Sequence, residues 1–312
     1  MTKLKGILLT QGMHGMISQV EGLAKALDLD FTHHTVETNK FWKMFPPKLT
    51  PISQKVFKKI DVEDFDVIIS CGRKSVIPSI YLKKNSPKKI TNIHIQDPKV
   101  NLDNFNYIIA PQHDGLTGKN IFSTKGAIHY LTKNEIDNNS DYLKNRLDNK
   151  KEYFTLILGG PTKHYEYSKE NILQIFDLFN NLVEKNNLQG IIIPSMRTPK
   201  KIIELSNVKL SSHSLVLNNI DKKAYLSALS LAKYITVTCD STSMISEAAL
   251  TGKPIYIADI PTKKNDTRIK KFRELFAKLN IIKNLDNKLE TWHYEILDET
   301  SRVAKEIKKQ LV

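Results

Sequence analysis

The sequence contains few cysteines and no long apolar segment. Its 312 residues include only two cysteines, which excludes the disulfide framework of a secreted scaffold and makes a reducing cytoplasm the expected location. The longest unbroken apolar stretches, such as residues 190–193, are far shorter than the roughly 20 residues that a transmembrane helix needs. The apolar run at residues 6–9 is likewise shorter than the core of a signal peptide, which takes about 7–15 residues. A cytoplasmic globular protein is therefore expected.

Positive charge is the main compositional excess. The chain has 47 Lys and Arg against 33 Asp and Glu, a net charge of +14, with 40% hydrophobic and 26% charged residues, which is typical of a folded chain. The lysines are dispersed, which favours a purely compositional origin, but the charge would also attract phosphates or an anionic lipid or membrane surface. A peripheral position at the inner membrane face therefore stays open. Nucleic acid is not an expected partner, because no nucleic-acid motif is present.

Apolar runs alternate with helical patterns along the chain. Unbroken apolar runs are typical of parallel strands covered on both faces, and their alternation with helices predicts right-handed βαβ units. The predicted strands are 5–10, 66–70, 89–95, 107–110, 154–158, 190–194, 214–217, 234–238 and 254–258, and the predicted helices are 17–27, 171–185, 222–232 and 243–250.

A polar stretch divides this series into two. Residues 132–151 contain no apolar run and are interpreted as a linker or peripheral helix. We therefore predict an α/β protein with two doubly wound Rossmann-like domains facing across a cleft, residues 1–140 and 141–290. A final helix within 291–312 is expected to pack back on them. Its apolar face would consist of Ile296, Val303, Ile307 and Leu311.

The first predicted strand ends in a glycine loop. Gly12 and Gly15 flank His14, and the helix that follows carries Gln19. Glycines allow a tight turn that exposes amide groups at the positive end of a helix, which suits an anionic ligand. The spacing does not match the dinucleotide fingerprint, so a tight turn without a ligand is the alternative.

The second half of the chain opens in the same way. Gly159 and Gly160 follow a predicted strand and precede Thr162, while the next strand ends at Ser195 and Arg197. The arginine fork suits a phosphate or a carboxylate, with an ordinary surface salt bridge as the alternative.

The strongest local signal lies after the strand predicted at 234–238. Asp240, Ser241, Thr242 and Ser243 lead into a helix that carries Glu247 one turn further on. Hydroxyl groups at a helix start would meet a diphosphate, and the glutamate could accept hydrogen bonds from a ribose diol. An ordinary capping box that only supports the helix start is the alternative.

These loops resemble two related groups of proteins. The glycine loop in each half and the hydroxyl-rich helix before residues 252–254 resemble the GT-B architecture of nucleotide-sugar glycosyltransferases. More closely, the chain resembles the bacterial branch of the mitochondrial fission "elongated mitochondria" family. The motifs that carry this likeness are residues 12–24, 71–74, 95–98, 111–114, 126–129, 159–165, 194–199, 240–248 and 271–273.

The resemblance implies a site and leaves the activity open. In the GT-B fold the second domain holds the donor, with the diphosphate at Ser241 to Ser243 and the ribose at Glu247. Bacterial members of the family are often described as nucleotide-sugar enzymes, whereas plant members are described as recruiting a dynamin-related GTPase to the outer mitochondrial membrane. His14 is similar in position to the histidine of the enzyme that builds the lipid-linked peptidoglycan precursor. It is therefore a candidate general base, with a lineage-specific loop substitution as the alternative.

Further polar residues follow the other strands of the first half. Arg73, Gln96 and Asp97, then His113 and Asp114, would converge on the acceptor side, where Asp97, His113 or Asp114 could deprotonate a hydroxyl. Turn and capping roles are the alternative. His129 could lie at the hinge or in the core.

The function hypothesis is a metal-independent glycosyltransferase that takes a nucleoside-diphosphate sugar at the interdomain cleft and needs no other cofactor. Adjacent His33 and His34 lack further ligands, so no metal site is expected. A non-catalytic membrane-associated adaptor and a nucleotide-sugar epimerase are the alternatives, and the sequence carries no sign of oligomeric state.

Overall fold

The chain folds into two units. The computed structural model describes residues 3–61 and 64–311. The first unit takes in the chain up to Tyr130 and again from Asp298 onwards, and the second runs from Leu131 to Leu297.

The first unit is built on a parallel sheet of six strands. In chain order its elements are β1 (Lys5–Thr10), α1 (His14–Ala26), β2 (Asp30–Thr35), β3 (Val67–Cys71), α2 (Val76–Lys84), β4 (Thr91–Ile95), β5 (Tyr107–Pro111) and β6 (Ile121–Thr124). The strand order is β2-β1-β3-β4-β5-β6. Both faces are covered: Leu8 packs in the core beneath α1, whereas its neighbours Ile7 and Leu9 pack in the core on the opposite face.

The second unit has the same architecture. Its elements are α3 (Lys133–Asp137), β7 (Tyr153–Leu158), α4 (Lys169–Lys185), β8 (Gln189–Pro194), α5 (Lys200–Leu210), β9 (Ser214–Val216), α6 (Lys222–Leu231), β10 (Ala232–Thr238), α7 (Thr242–Ala249), β11 (Ile255–Ala258), α8 (Thr267–Lys278) and β12 (Ile282–Asn284). All its strands are parallel, in the order β12-β11-β10-β7-β8-β9.

Each sheet therefore winds outwards in both directions from a central pair of strands, which confirms the predicted α/β class of two doubly wound domains. The central pair is β1 and β3 in the first sheet and β7 and β10 in the second. The two connections that follow the strands of such a pair run to opposite faces of the sheet. A crevice therefore forms between them at the carboxyl ends of the strands. Within residues 3–61 and 64–311, no helix has the length and apolarity to cross a membrane.

The last helix, α9 (Glu299–Leu311), packs back on the first unit. Val303 and Ile307 are buried in the core beneath α1, and the Glu299 carboxylate accepts a 2.9 Å hydrogen bond from the Lys125 amide. Ile296, which we expected on the apolar face of this helix, precedes its first turn and is 41% exposed. The helix thus begins later than the predicted segment 291–312.

Residues 291–297 instead stay with the second unit. The indole of Trp292 is buried there, 5.1 Å from the Tyr256 ring. The structure accordingly places the end of the second unit at Leu297, after the predicted residue 290.

The predicted linker also belongs to the second unit, which begins at Leu131 and not at the predicted residue 141. The segment is held against α6, because the Ser227 hydroxyl accepts a 3.1 Å hydrogen bond from the Leu143 amide and donates to the Ser140 carbonyl at 2.9 Å. Lys222 adds a 2.6 Å ion pair with Glu135. The polar segment 132–151 is therefore part of the surface of the second unit and does not link two domains.

Gly22 allows α1 to approach the segment that carries His129. A Cβ at this glycine would lie 2.3 Å from the His129 carbonyl oxygen. His129 itself is 4% exposed, and its backbone N–H and C=O both bond the Thr300 hydroxyl, at 3.0 and 2.9 Å. His129 is therefore buried in the first unit and lies one residue before the boundary of that unit at Tyr130.

Candidate functional site

The crevice of the second sheet lies between the loops that follow β7 and β10. The first loop begins at Gly159 and the second spans Cys239 to Ser241. Because the two strands are neighbours, the loops meet: the Gly159 amide donates a 2.8 Å hydrogen bond to the Thr238 hydroxyl. The sequence-predicted residues of both loops are thereby brought together.

Asp240 ties these loops together. Its side chain is fully buried, and Oδ2 lies 2.7 Å from Nη2 of Arg197 and accepts a 3.2 Å hydrogen bond from the Gly160 amide. The hydroxyls of Tyr167 and Thr238 lie 2.5 and 2.8 Å from Oδ1. With its oxygens occupied in this way, Asp240 supports the loop from behind, and we assign it a positioning role.

Arg197 has capacity left for a ligand. Its Nη1 donates a 2.9 Å hydrogen bond to the Gly160 carbonyl, and its Nη2 pairs with Asp240, while the side chain is 39% exposed. A guanidinium group has five N–H donors. The remaining donors have no protein partner in the described part of the chain, so they can meet an anion. The sequence analysis gave an ordinary surface salt bridge as the alternative for Arg197. In the structure the arginine pairs with Asp240, and only the arginine side of this pair is exposed.

Glycine is required twice in this loop. A Cβ at Gly159 would lie 2.3 Å from the Asp240 carboxylate, and one at Gly160 would lie 2.0 Å from the Arg197 carbonyl oxygen. Real Cβ atoms do not approach so closely, and in the second case the obstacle is backbone, which cannot rotate away. The glycine pair thus allows its own loop to approach the loops that carry Asp240 and Arg197.

Ser195 and Thr198 close the loop after β8. The Thr198 hydroxyl lies 2.8 and 2.6 Å from the carbonyls of Leu158 and Gly159 and accepts a 2.8 Å hydrogen bond from the Ser195 amide. The Ser195 hydroxyl is 3.2 Å from that of Thr198. The Ser195 amide also lies 3.0 Å from the Leu158 carbonyl, so Ser195 lies beside the glycine loop and its contacts fix the loop conformation. Its predicted contact with a nucleotide stays a prediction.

Helix α7 begins at the same edge of the sheet. Ser241 is its N-cap, and its hydroxyl accepts a 3.4 Å hydrogen bond from the Met244 amide. Thr242 and Ser243 are half-buried, and their hydroxyls have no hydrogen-bond partner among residues 3–61 and 64–311. The amides of a first helical turn lack partners within the helix and carry its positive partial charge. This turn therefore offers donors to a negatively charged group.

Glu247 lies one helical turn further along α7. Its Oε2 accepts a 2.7 Å hydrogen bond from the Tyr225 hydroxyl of α6, while Oε1 has no partner among the described residues. Desolvation raises the pKa of this carboxyl to about 7, against the opposing effect of the Tyr225 hydrogen bond. A carboxyl group whose pKa lies near neutral pH, and one of whose oxygens has no protein partner, can accept a hydrogen bond from a ligand.

Thr162 has a local role. Its hydroxyl accepts hydrogen bonds from the amides of His164 and Tyr165, at 3.1 and 3.2 Å, and so forms a tight turn. Nothing in the described structure links its side chain to the network of Asp240. Its predicted contact with a phosphate stays a prediction.

In the first unit, the loop after β1 lies at the crevice of that sheet. Gly12 has a φ of +80°, and its amide donates a 3.0 Å hydrogen bond to the Thr10 hydroxyl. His14 and Gly15 are exposed at the start of α1, and the His14 ring meets Tyr130 edge-on at 6.2 Å. The loop therefore presents an exposed imidazole at the carboxyl edge of β1.

Gln19 and Gln96 join the strand ends beside this loop. Gln19 is buried, and its Oε1 lies 3.5 Å from Nε2 of Gln96 and 3.6 Å from Sγ of Cys71. Gln96 has a φ of +82°, a strained conformation for a non-glycine residue of the kind that recurs at functional sites. The structure brings both predicted glutamines together.

The other predicted residues of the first unit have protein partners. Arg73 donates a 2.5 Å hydrogen bond to the Phe45 carbonyl. Asp97 accepts a 2.8 Å hydrogen bond from the Lys99 amide and pairs with the Lys99 ammonium group at 2.5 Å. The arginine and the aspartate thus each hold a local chain segment.

His113 and Asp114 share a short turn after β5. Nε2 of His113 lies 3.7 Å from Oδ1 of Asp114, and the two side chains are only 3% and 10% exposed. Of the four predicted catalytic residues, His14 is thus the exposed one. Among the described residues, no cluster of three His, Cys, Asp or Glu side chains could hold a metal ion.

Sequence reasoning missed the residues that orient the site. Tyr225 lies on another helix from Glu247, and Tyr167 lies far along the chain from Asp240. The motif that contains Arg197 also includes Thr198, so that residue could have been found there. The tyrosines carry no local signal, because their partners are set by tertiary packing.

Comparison with known proteins begins with sequence. A model of the family described as mitochondrial fission ELM1 matches residues 14–311. An uncharacterized protein of Rickettsia prowazekii is 28% identical, with 94% of this chain and 95% of that protein covered. The mitochondrial fission protein ELM1 of Arabidopsis thaliana is 22% identical over 78% of this chain and 64% of its own length.

Solved structures share the fold. The glycotransferase of kitacinnamycin superposes with a TM-score of 0.59 at 11% identity, with both chains covered completely. The UDP-GlcNAc 2-epimerase of Neisseria meningitidis, solved with UDP-GlcNAc, gives a TM-score of 0.53 at 13% identity, over 98% of this chain and 100% of that one. At these identities the likeness shows the fold, which is the GT-B type of glycosyltransferases and epimerases, as predicted.

Proposed function

Because this chain belongs to the mitochondrial fission ELM1 family and has a GT-B-type fold, we propose that it is a glycosyltransferase whose second unit binds a nucleoside-diphosphate sugar. The observation that carries the proposal is the first turn of α7, where unpartnered hydroxyls lie one helical turn from Glu247 at the crevice of the sheet. The bound form of the UDP-GlcNAc 2-epimerase on the same fold supports this choice of ligand class.

The diphosphate would bind the start of α7. The amides and hydroxyls of Thr242 and Ser243 would donate to its oxygens, and the helix dipole favours negative charge there. Arg197 would add its free N–H donors from the side of the glycine loop. Negative charge grows on a diphosphate as it leaves the sugar, so these preset donors would stabilise the transition state.

The ribose would bind Glu247. One helical turn spans about 5.4 Å, which is comparable with the separation between the α-phosphate and the ribose diol of a nucleotide. The free Oε1 of Glu247 would accept from a ribose hydroxyl, while Tyr225 holds Oε2 and fixes the carboxyl group.

His14 would be the general base for the acceptor hydroxyl. It is exposed at the start of α1, beside a loop that Gly12 shapes. Asp97, by contrast, is paired with Lys99, and His113 is almost entirely buried. An imidazole is the side chain that most often acts as a general base.

A melting-temperature screen of the full chain tests ligand binding. We expect one of the uridine, guanosine, cytidine or thymidine diphosphates, or one of their sugars, to raise the melting temperature of the second unit. At about 100 times its Kd the ligand would add about 2.7 kcal/mol, or about 5–10 °C for a domain of this size.

Two matched variants make the screen specific. At the same ligand concentration Glu247→Gln should clearly reduce the shift, whereas Glu204→Gln, which removes an exposed carboxylate of α5 in the same unit, should preserve it. If no nucleotide shifts the melting temperature, the donor site is refuted and the adaptor alternative is favoured. A shift that both variants preserve would place the nucleotide elsewhere.

A further inference from the structure

The first unit exposes several large apolar side chains within one short segment. Between residues 40 and 55, which we call the basic apolar surface, Phe41 is 63%, Met44 82%, Leu49 65% and Ile52 40% exposed. Single exposed apolar residues are common, but a cluster of this kind marks an interaction site. Neither the glycine loop nor any predicted site residue explains this cluster.

The surface has a defined shape. Three short turns of 3₁₀ helix carry it, Phe41–Met44, Pro47–Leu49 and Gln54–Val56. The rings of Phe41, Trp42 and Phe45 pack against one another, with centroids 4.9 to 5.6 Å apart.

The rest of the unit anchors the segment. Asn39 donates a 2.7 Å hydrogen bond to the Lys55 carbonyl, and Arg73 donates to the Phe45 carbonyl. The apolar side chains are therefore displayed by an ordered scaffold.

The same segment is uniformly basic. It contains four lysines, at positions 40, 43, 48 and 55, and no acidic residue. All four are exposed, and none forms an ion pair within the described chain. The nearest acid before the segment, Glu37, is neutralised by Lys58 at 2.6 Å, and the nearest after it, Asp61, by Lys59 at 2.7 Å. The surface thus combines unshielded positive charge with apolar side chains.

We propose that this basic apolar surface binds the headgroup region of an anionic phospholipid bilayer. Apolar and aromatic side chains can enter the boundary between headgroups and acyl chains, while lysine stems bring their charges to the lipid phosphates. A protein partner fits less well, because lysine is depleted at the centre of protein–protein interfaces. The proposal does not depend on nucleotide binding.

The surface lies beside the crevice of the first sheet. Arg73, which holds Phe45, follows Gly72 at the carboxyl end of β3, and a Cβ at Gly72 would lie only 2.5 Å from Nε2 of Gln11. Gln11 belongs to the loop that precedes His14. A bilayer bound at this surface would therefore lie next to that loop, where an acceptor carried by the membrane could reach it.

Vesicle flotation of the full chain tests the proposal. We expect binding to phosphatidylcholine vesicles that contain about 30% phosphatidylglycerol, weaker binding at high salt, and little binding to phosphatidylcholine alone. Met44→Ser/Leu49→Ser should weaken the binding by more than about tenfold. Lys43→Glu/Lys48→Glu should do the same, because each basic residue near an anionic surface contributes about fivefold.

Matched controls distinguish binding through this surface from nonspecific hydrophobic adsorption and from an effect of net charge. Val208→Ser/Ile220→Ser removes two exposed apolar side chains of the second unit, which are 78% and 54% exposed. Lys305→Glu/Lys309→Glu makes the same change of net charge on α9. Both controls should bind vesicles like the parent chain, and every variant should melt within a few degrees of the parent, since an acid at position 309 in the last turn of α9 destabilises that helix only slightly.

Three outcomes would overturn the proposal. They are an absence of binding to anionic vesicles, equal losses in the controls and the surface variants, and a vesicle-independent dimer that the Met44→Ser/Leu49→Ser variant dissociates. The last result would assign the surface to a second copy of this chain. A protein that binds vesicles but no nucleotide would retain this inference and lose the proposed function, so the two fail separately.

Discussion

Replacing Asp240 with alanine is expected to lower the free energy of unfolding of the second unit by about 2–3 kcal/mol. The Arg197 guanidinium that remains is 39% exposed and can be solvated, so the expected loss comes from the buried hydrogen bonds of Asp240. The buried Gly160 amide loses its acceptor, and the Tyr167 hydroxyl keeps only the Thr238 hydroxyl as a partner. Urea denaturation in a Trp42→Phe background reports this unit, because Trp292 is then the remaining tryptophan of the chain.

Asp259→Ala is the matched control for that variant. Asp259 pairs with both terminal nitrogens of Arg273, at 2.7 and 2.9 Å, but its side chain is 57% exposed, against none of the Asp240 side chain. Solvent screens such a pair, so we expect a loss below about 1 kcal/mol. Equal losses in the two variants would contradict the supporting role assigned to Asp240.

Replacing Glu247 with glutamine is expected to stabilise the second unit above neutral pH. The folded-state pKa of about 7 lies above the ordinary value of 4.5, so the folded chain holds a proton that the unfolded chain loses as pH rises from about 4.5. The cost of ionising the buried carboxyl therefore grows between these two pKa values and is complete above pH 7. Because Glu247 is only partly buried, solvent screens its carboxylate, and the cost amounts to about 2–3 kcal/mol.

The measurement is urea denaturation at several pH values, with the Trp292 reporter. The difference in the free energy of unfolding between Glu247→Gln and the parent should be small near pH 5 and largest near pH 8. Glu204→Gln, at an exposed position, should show no such trend. A difference independent of pH would contradict the raised pKa of Glu247.

The same substitution should weaken nucleotide binding by about 5- to 10-fold at pH 8, because glutamine keeps a neutral acceptor and a hydrogen bond to a charged acceptor is stronger by about 1–1.5 kcal/mol. A 2′-deoxyribose nucleotide should bind the parent protein more weakly than its ribose counterpart, and this preference should be smaller in Glu247→Gln. If the variant kept the full preference for ribose, Glu247 would not be the ribose ligand. Functional residues commonly lower the stability of the folded protein, so a Glu247 that destabilises the unit and strengthens ligand binding would fit a functional site.

Much of the fold could be predicted from the sequence, because central strands need apolar side chains on both faces. The missed strands, β2, β6 and β12, all lie at sheet edges. An edge strand is partly exposed and can carry polar residues, as the two adjacent histidines of β2 show. Local apolar content therefore predicts the interior of a sheet better than its margins.

The candidate site was predictable only in part. Gly160, Arg197 and Asp240 lie in three separate loops that the strand pattern alone brings to one edge, and the structure joins them. The role of each could not be predicted, because it depends on tertiary burial. Asp240 has the type of side chain that binds a ligand, yet it is buried behind the loop, and the tyrosine that holds Glu247 lies on α6.

The most direct test of the donor site is a crystal structure of the full chain with a bound nucleoside-diphosphate sugar. The sugar to use is the one that raises the melting temperature most. We predict diphosphate oxygens within hydrogen-bonding distance of the Thr242 and Ser243 amides, and a ribose hydroxyl on Oε1 of Glu247. A nucleotide bound away from the first turn of α7, or no bound nucleotide at saturating concentration, would contradict the proposed glycosyltransferase.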